Sequence, residues 1–233
     1  MRKIKKDYVS TIYDEKRTPK TNYPKKLINY LSLRFNLKSN QKLIELGCGR
    51  GDFLNEFQIY GFDCIGLDRD KSSVKNKNNL KVKFCDLSKD SFPFENNSFD
   101  IVYHKSVIEH LYDPKNFMKE TFRILKPGGK LIILTPDWHS QWKNFYEDFT
   151  HSRPYDLTAL KDLLAVSGFV NSKVEKFYQL PYVWKLSFIK FFSKILQLFI
   201  GVYTARRLTA FTGVQFFRWS VELMILGYAE KGK

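Results

Sequence analysis

Residues 43–52 read Leu-Ile-Glu-Leu-Gly-Cys-Gly-Arg-Gly-Asp, with glycines alternating at Gly47, Gly49 and Gly51 behind the acidic Glu45. Glycine tolerates positive φ and lets a ligand approach the main chain closely, so this pattern fits a nucleoside-type ligand lying across a turn. Asp68 stands about 20 residues further on, where doubly wound folds place the carboxylate that accepts ribose hydroxyls. The charges then narrow the ligand. A dinucleotide fingerprint needs G-x-G-x-x-G so that a helix N-terminus meets a pyrophosphate, whereas here the spacing is G-x-G-x-G and an acid precedes it. A carboxylate at that place repels a diphosphate and suits a cationic ligand without phosphate. For proton removal near neutral pH histidine is the side chain of choice, and the chain has four: His104, His110, His139 and His151.

These residues need elements to position them. Lys42 to Leu46 has strand character, and Phe53, Leu54 and Phe57 open a helix expected from Asp52 to Tyr60 and closed by Gly61. A second strand, Cys64 to Leu67, ends in Asp68, and a third, Lys81 to Cys85, ends in Asp86. Three strands ending at Glu45, Asp68 and Asp86 present carboxylates at one edge of a parallel sheet. Leu27, Ile28, Leu31 and Phe35 recur at helical spacing over Tyr23 to Phe35. Beyond a loop broken by Pro93 and two asparagines, a fourth strand is expected over Asp100 to Tyr103, with His104 to Leu111 at the carboxyl edge of the sheet, where open α/β folds bind ligands. Asp113 and Pro114 start a helix over Lys115 to Leu125, and Pro127-Gly128-Gly129 turns into a fifth strand, Lys130 to Leu134. A helix from Asp156 to Gly168, a sixth strand over Val174 to Leu180 and a seventh over Val221 to Ala229 complete the pattern. Strand-helix alternation of this kind implies parallel pairing with right-handed crossovers.

On these motifs the chain resembles the class I S-adenosylmethionine-dependent methyltransferases. Glu45-Leu-Gly-Cys-Gly-Arg-Gly is similar to the family's first motif, Asp68 matches its ribose-binding acid and Asp86 its adenine-side acid. Ser98-Phe-Asp-Ile-Val-Tyr-His matches the fourth strand, and Leu125-Lys-Pro-Gly-Gly-Lys-Leu the turn into the fifth. The resemblance implies an α/β, Rossmann-like, doubly wound sheet of seven strands, mostly parallel with an antiparallel last strand and helices on both faces. It implies S-adenosylmethionine as cofactor, held by Glu45, Gly47, Cys48, Gly49, Gly51, Asp68, Arg69, Asp86, Leu87 and His104. It also implies a single domain over 1–233, with an N-terminal arm and helix in 1–40, a cofactor-binding core in 41–180, a helical insertion in 181–219 and the last strand in 220–233.

The acceptor is marked less sharply. Residues 135–153 are crowded with aromatics, acids and histidines and have no clean period, and a long irregular stretch in a compact domain is usually functional. His151 lies there, directly before the Asp156 helix, and is expected first as base or acceptor contact, with His110 second. In the 185–200 stretch Lys190, Ser193, Lys194 and Gln197 share one narrow helical face, and Phe188, Phe191, Phe192, Ile195, Leu196 and Phe199 fill the other. That pattern describes either a helix packed as a lid, with its apolar stripe in the core, or one lying on an anionic membrane surface. The lid is the first expectation. A formal charge of +15 suits RNA, an acidic membrane or a phosphorylated substrate equally.

The expected reaction is O-methylation of a sugar, glycan or lipid-linked intermediate, with RNA methylation or an inactive cofactor-binding protein as the alternatives. After the fourth strand stands His104-Lys-Ser-Val, where exocyclic-amine methyltransferases of this fold carry Asn/Asp-Pro-Pro-aromatic, and no cysteine is placed as a cytosine nucleophile. Nucleic acid therefore stays open only for other chemistries. Three cysteines without C-x-x-C or histidine spacing suggest neither a disulfide framework nor a metal. The expected location is cytoplasmic, peripheral at the membrane if the 185–200 helix meets lipid.

Overall fold

The computed structural model describes residues 19–70, 79–186 and 188–233. Much of the N-terminal arm expected within 1–40 lies outside the described residues. In chain order the elements are α1 (Tyr23–Arg34), β1 (Lys42–Leu46), α2 (Asp52–Ile59), β2 (Asp63–Asp68), β3 (Val82–Phe84), β4 (Phe99–Lys105), a 3-10 turn (Ile108–His110), α3 (Lys115–Ile124) and β5 (Leu125–Pro136). There follow α4 (Trp138–Gln141), a 3-10 turn (Phe145–Glu147), α5 (Leu157–Val166), β6 (Phe169–Phe177), α6 (Pro181–Lys185), α7 (Ile189–Phe199), α8 (Val202–Thr212), α9 (Phe216–Val221) and β7 (Met224–Lys231). The seven strands run β3-β2-β1-β4-β5-β7-β6 across the sheet. The chain forms two compact units, one reaching His104 and including Lys115–Lys130 and Lys233, the other made of Lys105–Pro114 and Leu131–Gly232.

In the first unit β1 pairs in parallel with β2 (Leu43↔Cys64) and with β4 (Leu43↔Ile101), and β2 pairs in parallel with β3. Leu43, Ile44, Leu46, Leu67, Ile101 and Val102 are fully buried, as near-continuous apolar runs in parallel strands demand. Leu54 and Phe57 of α2 are buried as well, with the Phe57 ring edge-on to Phe62 and Tyr103. Charged groups hold the loop before β4. Glu120 accepts from the Phe92 N–H at 2.7 Å, and Arg123 bonds Glu120 and donates to the carbonyls of Phe92 and Phe94. The fifth strand begins earlier than expected, at Leu125, so the Pro127-Gly128-Gly129 turn falls inside its span, with Gly128 at φ 75°.

In the second unit β6 and β7 pair antiparallel from Phe169↔Lys231 to Phe177↔Met224. The sixth strand starts five residues before the expected Val174. Asn171 and Ser172 read as a break in sequence, yet here they form a bulge between Val170 and Lys173, with Asn171 at φ 52°. Val221 ends α9, so the last strand starts at Met224. Asp156 caps α5 by accepting from the Ala159 N–H at 2.8 Å, and Gly168 beyond its end has φ 84°.

The insertion between β6 and β7 is four short helices, and α7 lies the opposite way round from the lid expectation. Two residues of its polar face turn inward, while Lys190 and Lys194 of that face stay exposed: Ser193 is fully buried with its hydroxyl 2.9 Å from that of Ser220, and Gln197 donates to the Ser220 carbonyl at 2.5 Å. The apolar face points outward, with Phe191 63%, Leu198 80% and Phe199 82% exposed. The physical reason is the buried hydroxyl pair, which needs protein partners more than the phenyl rings need a core. In α8, Arg206 bonds both Glu222 and Glu147, tying the insertion to the start of β7 and to the aromatic loop.

Candidate functional site

Two groups of side chains have chemical potential, one in each unit. The first is the glycine turn. Gly47, Gly49 and Gly51 all have positive φ, at 69°, 46° and 80°. The turn is held against β2, because the N–H groups of Gly47 and Cys48 both donate to the Leu67 carbonyl, at 2.8 and 3.1 Å. Asp68 then closes it: Oδ2 accepts from the Gly49 N–H at 2.6 Å, and Oδ1 accepts from the Asp70 N–H at 2.8 Å. A Cβ built on Gly49 meets nothing within 4 Å, so there is open space above the turn. At Gly66 a Cβ would lie 2.6 Å from Cys48 Sγ, and this glycine is what lets the turn seat on β2.

The other sequence-expected cofactor residues lie in the same unit. Glu45 is buried near the end of β1; burial first, and the Glu45 charge after it, push the Tyr103 phenol well above its ordinary range. Arg69 is exposed directly after Asp68, and Leu87 is buried beside Asp86. Asp86 lies two residues beyond β3, which ends at Phe84. Partial burial pushes its carboxyl up, but hydrogen bonds from Ser88 and the charge of Lys89 outweigh this and hold it below the ordinary carboxylate range. His104 lies on β4 itself and is fully buried, with Phe117 edge-on at 5.1 Å. Burial lowers its pKa to about 3, and neither ring nitrogen has a hydrogen-bond partner among the described residues. It is a neutral imidazole within the core of this unit.

The second group joins residues far apart in sequence. Thr150 and His151, in the aromatic loop, lie against the 3-10 turn that carries Glu109 and His110, because the Ser152 and Arg153 N–H groups donate to the Glu109 carbonyl at 2.8 and 3.0 Å. The His110 and His151 rings stand 4.7 Å apart. His151 Nδ1 meets the Phe145 carbonyl at 2.6 Å, which fixes the proton on Nδ1 and the lone pair on Nε2. Thr150 gives its hydroxyl proton to Asp148 at 2.7 Å, so it accepts from His110 Nδ1 at 2.8 Å and sets the same tautomer there. Glu109 is fully buried: Oε2 accepts from Thr135 at 3.0 Å, and Oε1 has no partner among the described residues. Burial pushes its carboxyl up to about 7. The sequence reading named both histidines and missed Glu109. An acid inside the apolar run Val107-Ile108-Glu109-His110-Leu111 was the available signal. His139 stands apart, its side chain 63% exposed and 4.0 Å from Asp137.

Comparison with known proteins adds an independent finding. A family described as "Methyltransferase domain" matches residues 13–174. A protein of Mycolicibacterium smegmatis, described as a probable S-adenosylmethionine-dependent methyltransferase, is 29% identical over 137 residues, covering 56% of this chain and 52% of that protein. The chloroplastic tocopherol O-methyltransferase of Arabidopsis thaliana is 33% identical over 107 residues, covering 42% of this chain and 31% of that one. The crystal structure of phosphoethanolamine N-methyltransferase 2 from Haemonchus contortus, in complex with S-adenosyl-L-methionine, superposes with a TM-score of 0.62 at 17% identity, covering 92% of this chain and 53% of that one. These alignments span about half or less of the relatives' own lengths.

Proposed function

This chain belongs to the methyltransferase-domain family, and we propose that it transfers a methyl group from S-adenosylmethionine to a hydroxyl of a small molecule, sugar, glycan or lipid-linked intermediate. The observation that carries the cofactor half is the glycine turn closed by Asp68, with open space above Gly49. The residues fit the cofactor in charge as well as in shape. Glu45, Asp68 and Asp86 are anionic partners for a ligand that bears a sulfonium, an ammonium and a ribose but no phosphate. When bound, the cofactor supplies a methyl group already activated by the sulfonium charge. The remaining work is positioning, exclusion of water and removal of the acceptor proton. In this reading Asp68 accepts the ribose hydroxyls, Asp86 and Leu87 face the adenine, Glu45 and the turn lie along the methionine end, and Cys48, Arg69 and His104 line the site.

On the acceptor side, His151 and His110 bind the hydroxyl and promote loss of its proton. His151 keeps its proton on Nδ1, which leaves its Nε2 lone pair for that role, with His110 beside it as a second contact. A relative that is a tocopherol O-methyltransferase supports an oxygen acceptor.

We further read the outward face of α7 as resting on an anionic membrane surface. Of the 21 large apolar side chains exposed among the described residues, 11 fall between Tyr182 and Val214. Residues 176–221 hold seven lysines and arginines; Lys176, Arg206 and Arg218 pair with Asp137, Glu147 and Glu222, and in this reading Lys185, Lys190, Lys194 and Arg207 meet the negative headgroups. A lipid-linked acceptor would then meet the enzyme at its own surface.

The test is methyl transfer from isotopically labelled cofactor into a cell extract fractionated into glycolipid, soluble small molecules, RNA and protein. Label in glycolipid or soluble sugar supports the acceptor class. Label in RNA displaces it and leaves the methyltransferase reading standing. At cofactor concentrations below its dissociation constant, Asp68→Asn should lower labelling of every fraction.

A further inference from the structure

We infer that Glu109, His110 and His151 form a binding site for one divalent transition-metal cation. Among the described residues, each of these side chains brings one ligating atom within 4.8 Å of the other two. Ligand atoms that share an ion stand ~3–3.5 Å apart, so the three need only close by about 1 Å. Two imidazoles and one carboxylate are the donor set that suits zinc, cobalt, manganese or ferrous iron better than calcium or magnesium, which prefer all-oxygen shells.

Three features lead beyond proximity. First, Glu109 is wholly buried and its Oε1 has no hydrogen-bond partner among the described residues, an arrangement that costs free energy until a cation or donor meets it. Secondly, both imidazoles are set in the tautomer a metal requires. The Nδ1 proton of His151 goes to the Phe145 carbonyl, and that of His110 goes to Thr150, whose own proton goes to Asp148. Donation from the second ring nitrogen to a carbonyl or carboxylate-linked group is the outer-shell pattern that orients metal-bound histidines and raises their basicity. Thirdly, Glu109 is oriented in the same way, since Thr135 donates to Oε2 and leaves Oε1 for the ion. Three protein ligands leave at least one coordination position for water or an oxygen of another molecule, which separates this site from closed structural sites. Binding stands on this geometry alone. Its use rests on the acceptor-side reading above: there the cation would take the imidazole lone pairs and hold the acceptor oxygen in their place.

The test uses the full chain, stripped with a chelator and dialysed, titrated with cobalt(II) under visible absorption and with zinc by calorimetry. One equivalent of each should bind, with cobalt bands typical of nitrogen and oxygen ligands. Glu109→Gln keeps the shape of the side chain, and both it and His151→Ala should weaken zinc at least ~100-fold. Thr150→Val should weaken it about 10-fold while leaving all three ligands in place. His139→Ala, at the exposed histidine, should bind as the parent does. Absence of uptake by the parent chain would overturn the inference. So would binding that survives Glu109→Gln in a protein whose circular dichroism is unchanged, or that is lost with His139. Because the readout needs no methyl transfer, a failure here is separable from a failure of the acceptor assignment.

Discussion

Asp68 shapes its loop and, in the proposed reading, also serves the cofactor. It accepts the Gly49 and Asp70 N–H groups and fixes the turn before any cofactor arrives. Charge-assisted hydrogen bonds contribute about 1.5–3 kcal/mol, so Asp68→Asn should weaken S-adenosylmethionine ~10- to 100-fold by calorimetry while far-UV circular dichroism stays the same. His104 makes a prediction about pH. Its folded pKa, about 3, lies below the ordinary 6.5, so below pH 6.5 the unfolded chain takes up a proton that the folded chain refuses. The contribution is complete above pH 6.5 and is lost as pH falls from there toward 3. Urea unfolding at pH 7 and pH 5 should show the parent losing about 2 kcal/mol more over that interval than His104→Leu. At this scale, legibility followed distance along the chain. Glu45, the glycines and Asp68 declare themselves through local spacing, whereas Glu109 acquires its meaning from His151, which is brought to it by backbone bonds from Ser152 and Arg153 that no local pattern announces.

Among the elements, β2 and the glycine turn depend on each other through Gly66. A methyl group there would meet Cys48 Sγ at 2.6 Å and both Cys48 Cβ and Leu54 Cδ2 at 3.0 Å, so Gly66→Ala should destabilise the fold by about 1–3 kcal/mol in urea. Helix α7 separates stability from docking. Ser193→Leu forces a bulky group into the buried Ser193–Ser220 contact and should lower the melting temperature. Phe191→Glu with Leu198→Glu lies on the exposed face and should leave stability within about 0.5 kcal/mol while abolishing binding to phosphatidylglycerol vesicles. Vesicle binding that survives the double variant would remove the membrane reading. The amphipathic pattern of α7 was plain in the sequence, but its orientation was not. Periodicity reports two unlike faces and is silent on which one has partners, and here two small hydroxyls decided it. The early start of β6 was hidden for a related reason, since Asn171 has the sequence of a loop and the geometry of a bulge.

At the level of the whole chain, the succession of strands followed from alternation and turn chemistry, whereas the antiparallel last strand, found here between β5 and β6, followed from the resemblance to the methyltransferases. The net charge of +15 was equally legible, yet it named no partner until its neighbours were known. Combined with the α7 face, it predicts that vesicle binding depends on anionic lipid and falls steeply between about 50 and 200 mM salt, as the Debye length shortens below ~10 Å. Binding to neutral phosphatidylcholine with the same strength would assign the attraction to the rings alone. The outward rings of α7 also govern colloidal behaviour. Phenyl groups crowded on one cationic patch repel other copies at low ionic strength but attract them once salt screens the charge. Concentrated protein should therefore associate reversibly as salt rises, the reverse of its affinity for lipid, and mild detergent should return it to single chains in the ultracentrifuge.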